Sequence, residues 1–284
     1  MKKIILLLIS TLLSVTISCK KIDKNNFTDD VKIPQRIVSL TPAGTEILCA
    51  IGAFDQLVAR TDFCDYPAEV SSLPSVGGFD GKTLSIETIL SYKPDFVYAT
   101  QGMHDALLPL LKQQKVPYYL SYANSIDAIL KEISDIGKIT GHQKEAENLT
   151  DNMKNEIQLL KNKYKDYEKV SLYWEIWYPP YMSIGKLPFI NELVTVAGGK
   201  NIFDNIEEEY PVVSEEAIIS AKPEIIIIPT YDENGIQAVK ARKEWQNVPA
   251  LKNNRIYALD ADLISRPGPR IIEATQLIAE KLHE

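Results

Sequence analysis

Ser85-Ile86-Glu87-Thr88-Ile89-Leu90, followed by Lys93-Pro94-Asp95, returns later in the chain as Ser214-Glu215-Glu216-Ala217-Ile218-Ile219, followed by Lys222-Pro223-Glu224. In both copies a serine opens a short apolar run, a carboxylate falls in its first turn, and Lys-Pro-acid closes it. Serine is a favoured helix N-cap and proline a favoured stop, so each copy reads as a short helix. An apolar run without alternation follows each time, at 96–99 and 225–228, as expected for a strand buried on both faces. The flanking segments repeat the alternation. The first half adds strands at 36–40 and 116–120, and helices at 46–51 and 107–112. The second adds strands at 169–173 and 255–259 and a helix at 189–197, closed by Gly198-Gly199. Two such series predict an α/β protein with two Rossmann-like lobes, each built on a mostly parallel sheet.

Between the series, Ala146, Leu149, Met153, Ile157 and Leu160 recur every three or four positions among charged residues. That period is one amphipathic helix of about 24 residues, about 36 Å long. With no Gly- or Ser-rich linker, it is expected to join the lobes as a stiff strut, with the ligand slot between them. The expected boundaries are 35–140 for the N-terminal lobe, 141–167 for the linking helix and 168–284 for the C-terminal lobe.

The 284 residues are 45% hydrophobic and 24% charged, a globular composition that excludes a disordered or collagen-like chain. A formal charge of −7 argues against a general nucleic-acid binder. The N-terminus differs from the rest. Lys2 and Lys3 precede an apolar run at 4–13, and Ser18-Cys19 follows. This is the pattern of a secretory signal over 1–18; the run is shorter than the roughly 20 residues that span a bilayer. Thr16-Ile17-Ser18-Cys19 resembles a bacterial lipobox, with Thr16 where leucine is usual. That resemblance implies lipidation at Cys19 and a polar tether over 19–34. Export allows a disulfide between Cys49 and Cys64; two buried thiols are the other reading.

Reactive chemistry is hard to find. Gly77 to Gly81 leaves three residues where a phosphate loop needs four before its Gly-Lys pair, so this stretch reads as a turn. Three histidines, His104, His142 and His283, are too scattered for a metal site, and His104 is expected at the surface or in a cleft. There is no Gly-x-Ser-x-Gly elbow and no His-Glu-x-x-His. No catalytic residue, metal or cofactor is assigned. The aromatic residues are more informative. They gather at strand ends and loops, as at Phe63, Tyr66, Phe79, Tyr173, Trp174, Trp177, Tyr178, Tyr181 and Tyr210. Loops at the carboxyl ends of parallel strands are where α/β sheets hold ligands, and aromatic walls suit a large flat one.

The stretch from Pro34 to Glu46, Cys64-Asp65-Tyr66-Pro67, the Ser85 and Lys93 motif, and Arg266-Pro267-Gly268-Pro269-Arg270 resemble a family of bacterial ABC-importer substrate-binding proteins. These are the helical-backbone group serving vitamin B12, haem and ferric siderophores, and the resemblance is strongest to the B12 binders. It runs from about 36 to 282. It implies a corrinoid ligand contacted by Phe63, Phe79 and Tyr210, by Trp174 or Tyr181, and by Asp262 and Arg266. A tryptophan carried by B12-binding members after the strand at 96–99 is Thr100 here. Glu87 and Glu216 are implied to dock onto arginines of a permease dimer that works with an ATPase. The expected protein is therefore an exported monomer, periplasmic or at the cell surface, held to the membrane by lipid. It performs no chemistry and delivers a corrinoid to an importer. Haem or a ferric siderophore is the alternative, with His104 and Tyr210 as axial candidates for haem and Arg266 and Arg270 as the basic candidates for an anionic chelate. An exported α/β enzyme and a surface adhesin are the remaining readings.

Overall fold

A computed structural model describes residues 32–230 and 234–284. The signal, Cys19 and most of the tether lie outside these residues. The first sheet is built from β1 (Ile37–Ser39), β2 (Leu57–Arg60), β3 (Phe96–Thr100) and β4 (Tyr118–Ser121), in the order β2-β1-β3-β4 and parallel throughout. Its helices are α1 (Pro42–Ala50), α2 (Ile86–Ser91), α3 (Leu108–Gln113) and α4 (Ile126–Thr140). The linking helix α5 (Gln143–Tyr164) follows, 22 residues and about 33 Å long. The second sheet runs β6-β5-β8-β9, with β7 also pairing β5. Its strands are β5 (Val170–Trp177), β6 (Met182–Ser183), β7 (Gly199–Asn201), β8 (Ile225–Thr230) and β9 (Ile256–Asp260). Among the strand pairs of the described residues, β5–β6 is antiparallel and the others of this sheet are parallel. Helices α6 (Phe189–Val196), α7 (Glu215–Ala221), α8 (Asn234–Lys240), α9 (Pro249–Lys252), α10 (Ala261–Ser265) and α11 (Ile271–His283) complete this lobe.

The repeated motif has a physical explanation in each part. Ser85 and Ser214 are N-caps, accepting from the N–H groups of Thr88 (3.2 Å) and Ala217 (3.1 Å). Lys93 and Lys222 both turn into the left-handed region, at φ 51° and 49°, and so end their helices. The acid after each proline then ties down the start of a neighbouring strand. Asp95 accepts from the N–H of Gln35 (2.9 Å) and Arg36 (2.8 Å), and Glu224 accepts from the N–H and hydroxyl of Ser171 (2.9 and 2.8 Å). The same local chemistry is thus used twice to enter two different sheets.

Several boundaries differ from expectation for local reasons. Helix α1 begins at Pro42 rather than 46, because proline fits the first helical turn and Thr41 takes the cap position. Strand β5 continues to Trp177 instead of ending at 173, which carries Trp174 and Glu175 into the sheet. Helix α4 closes at Gly141 in the left-handed conformation and packs along α5. Gly44 is demanded by packing, since a Cβ there would collide with the ring of buried Tyr98.

One apolar cluster crosses the molecule. It joins Ile37, Phe96 and Tyr98 of the first sheet, the inner faces of α4 and α5, and Leu172, Trp174 and Ile227 of the second. Separate clusters cover the far faces of the two sheets. Each fully buried aliphatic side chain contributes about 1.5–3 kcal/mol. The shared cluster therefore ties both lobes to the helices between them. Among the described residues no helix is long and apolar enough to cross a membrane.

Candidate functional site

The carboxyl ends of β1, β3, β4 and β9 point to one cleft of about 540 Å³ between the sheets. From the N-terminal side it is lined by Leu40 to Ala43 after β1, Phe63, Phe79, Thr100, Gln101 and Met103, and Ser121 to Asn124 after β4. Pro188, Phe189, Glu209, Tyr210, Asp262 and Arg266 face them from the other side. A space of this size, walled by rings and a few polar groups, has the character of an organic-ligand site.

Its aromatic residues are unusually open. Phe63 and Phe79 are each 48% exposed, Tyr210 43% and Tyr122 51%. Phe63 and Phe79 meet edge to face, with centroids 5.1 Å apart, and form one wall. The Phe79 loop is built by Asp80, whose carboxylate accepts from the N–H groups of Lys82 and Thr83 (2.9 Å each), and by Thr83 Oγ1 accepting from the N–H of Phe79 (3.1 Å). Those N–H groups hold the Asp80 carboxyl below its ordinary range. This confirms a turn at 77–83. From the same side, the Tyr122 hydroxyl donates to Glu209 (2.8 Å) across the cleft. That bond pushes the Tyr122 phenol up.

The floor is ionic. Arg266 Nη1 donates to Glu46 (3.0 Å) and Asp65 (2.8 Å), and Nη2 pairs with Asp262 (2.8 Å) and donates to the Phe63 carbonyl (3.3 Å). Arg270 grips both oxygens of the same Glu46 at 2.9 and 2.7 Å and lies over the Tyr66 ring at 4.0 Å. Glu46 is 2% exposed. Behind the cleft, the Glu132 carboxylate accepts from Ser121 (2.9 Å) and from the Tyr98 hydroxyl, and burial pushes its carboxyl up.

Phe63, Phe79, Tyr210, Asp262 and Arg266 are therefore brought together, from positions up to 203 apart in sequence. Trp174 and Tyr181 are not. Trp174 is fully buried in the extended strand β5, within the shared core. Tyr181 stacks on Tyr178 (4.3 Å) and Trp245 (5.7 Å), and its hydroxyl donates to Glu215 (2.9 Å). This second aromatic group encloses Arg242, whose guanidinium lies 4.6–5.1 Å from the Tyr178, Tyr181 and Trp245 rings and forks onto Glu175 at 2.6 and 2.7 Å. It packs the lobe beside the cleft, not within it. His104 is not at the surface. It is fully buried, its Nδ1 accepts from the Thr100 N–H (2.9 Å), and burial lowers its pKa. Cys49 and Cys64 are free thiols; burial pushes Cys49 to about 12 and raises Cys64.

Tyr122, Met103 and Glu209 were missed in the sequence. Tyr122 alone carried a signal, as an aromatic just past the strand at 116–120. Glu46 gave none, because its partners lie 220 and 224 residues away. Glu87 and Glu216 are exposed in the first turns of α2 and α7. The Ser85 hydroxyl donates to Glu87 (2.8 Å) and lowers its pKa. Among the described residues no group of His, Cys, Asp and Glu could hold a metal ion.

A sequence model described as periplasmic binding protein matches residues 37–263. The vitamin B12-binding protein of Vibrio parahaemolyticus is 31% identical over 250 residues, covering 87% of this chain and 88% of that one. An uncharacterized ABC transporter substrate-binding lipoprotein of Bacillus subtilis, YvrC, is 32% identical over 260 residues, 89% of this chain and 81% of that one. The crystal structure of a possible iron-binding, periplasmic solute-binding protein from Staphylococcus epidermidis superposes with a TM-score of 0.79. It is 30% identical and covers 89% of this chain and all of that one. The two-lobed α/β fold agrees with these relatives, which are solute binders of transporters and not enzymes. The chain belongs to the periplasmic binding protein family, as the solute-binding component of an ABC importer.

Proposed function

We propose that this protein captures a corrinoid in the cleft and hands it to an ABC permease dimer driven by its ATPase. The observation that carries this reading is the aromatic cleft itself. Phe63, Phe79 and Tyr122 on one side and Tyr210 on the other expose their rings to one space, with Asp262 at its floor. A flat macrocycle buries apolar area against such rings, and its amide arms find acceptors in Asp262 and Glu209. A relative named for vitamin B12 binding supports the choice of ligand. Met103 lines the cleft near Thr100 and supplies a polarizable apolar surface there.

Glu87 and Glu216 present equivalent carboxylates from equivalent helix starts, which suits a twofold permease with basic sockets. The protein is exported and works as a monomer held to the membrane through acylated Cys19; a relative named as a lipoprotein supports the anchor. The core shared by both lobes favours small closure on binding.

Haem or a ferric siderophore is the second reading, favoured by the relative named as possibly iron-binding. Tyr210 and Tyr122 then supply the axial oxygen, since buried His104 does not line the cleft. Calorimetry and absorbance titrations with cyanocobalamin, haemin and ferric siderophores separate the two. Micromolar or tighter corrinoid binding is expected, weakened at least tenfold in Phe63→Ala and Phe79→Ala. Binding of haemin or a siderophore without corrinoid would overturn the first reading.

A further inference from the structure

The cleft contains a cation whose Nη donors are all held within the protein. Among the described residues lining it, Arg266 is the only lysine or arginine. A guanidinium has five N–H donors. Four of those of Arg266 are engaged within the protein, by Glu46, Asp65, Asp262 and the Phe63 carbonyl. Both Nη atoms are spent, so the parallel two-bond fork that arginine makes to a carboxylate cannot form with an incoming ligand. Arg270, the other basic group nearby, spends its Nε and Nη2 on Glu46 and its face on Tyr66. Formally the floor holds two guanidiniums and three carboxylates, a net charge of −1, and Glu209 adds another negative charge at the wall.

We infer that Glu46, together with Asp65, sets the charge class of the ligand. The two carboxylates withhold Arg266 and Arg270, so the cleft accepts an uncharged, amide-bearing macrocycle and rejects one that carries carboxylates. This rests on the reading of the cleft as the ligand site. Glu46 lies on α1 and is not among the described residues that line the cleft; it acts through the arginines and is a specificity-determining residue by position. Its 2% exposure leaves no room for a solvent counterion to do the same work.

The test uses matched pairs that differ only in ionisation: cyanocobalamin against its monocarboxylic acid, and haemin dimethyl ester against haemin. The wild-type protein is expected to bind the uncharged member of each pair at least tenfold more tightly. Glu46→Gln, nearly the same shape, brings the floor to zero and narrows each ratio about tenfold. Asp65→Asn, at a side chain 60% exposed, does the same without disturbing the core. The double variant, at +1, reverses the preference. Unchanged ratios in Glu46→Gln and Asp65→Asn, with folding confirmed by circular dichroism, would overturn the inference and leave the corrinoid reading standing. Failure of cyanocobalamin to bind, with the porphyrin ratios shifting as stated, would remove the corrinoid reading and keep the inference. Failure of both uncharged probes to bind, or wild-type preference for the acids, would overturn it.

Discussion

Arg242→Ala should be among the most destabilising single changes in this protein. The Arg242 and Glu175 side chains are 9% and 8% exposed and make two bonds of 2.6 and 2.7 Å. Removing one partner of a buried pair costs about 3–5 kcal/mol, because the other charge stays desolvated. Three ring faces within 5.1 Å add a cation–π contribution of about 1–2 kcal/mol. A loss of about 4–7 kcal/mol corresponds to about 8–28 °C in Tm for a chain of this size. Arg242→Lys keeps the charge but loses the fork and the stacking, and should fall between the two. Urea and thermal unfolding of the ligand-free protein measure this directly. The pair Glu175→Leu and Arg242→Met should cost far less than either change alone, since no buried charge remains. Hydrogen exchange adds a local readout. Tyr181 and Trp245 both donate to Glu215 Oε1, so a loosened stack should speed exchange in the first turn of α7. A loss below about 1 kcal/mol for Arg242→Ala, or simple additivity in the double variant, would refute the argument.

Glu87→Ala combined with Glu216→Ala should leave ligand affinity intact and abolish uptake in a reconstituted importer; reduced affinity would mean that they shape the cleft. Stability should also depend on pH through Glu132. Burial raises its folded-state pKa above the ordinary 4.5, so the folded protein holds the proton more tightly than the unfolded chain. Its contribution is therefore full below about 4.5 and is lost as pH rises through the folded value. Glu132→Gln should flatten this part of the stability profile, and an unchanged slope would disprove the assignment.

How much was legible in the sequence depends on the range of the interaction. The repeated Ser…Lys-Pro-acid motif is local chemistry of caps and helix stops, so it revealed both lobes and the register between them. The linking helix was legible for the same reason, through one apolar stripe of helical period. Phe63, Phe79, Tyr210, Asp262 and Arg266 were proposed through the family resemblance, and the structure places all five along one cleft. Trp174, one of two alternatives for a further aromatic contact, lies away from the cleft because strand length depends on a partner strand. β5 runs on to Trp177 by pairing with β6 and β8, and this turns Trp174 into core.

What the sequence determined by itself is the two-lobe plan, the joining helix and the aromatic character of the loops, all fixed by periodicity, capping and turn chemistry within a few residues. What only the tertiary structure decided is the use of those loops. The Tyr122–Glu209 bond spans the cleft, and Glu46 meets Arg266 and Arg270 from more than 200 residues away. The reason is physical: local preferences act over one or two turns of chain. Whether an arginine faces a ligand or a buried carboxylate is set by which distant segment folding brings against it.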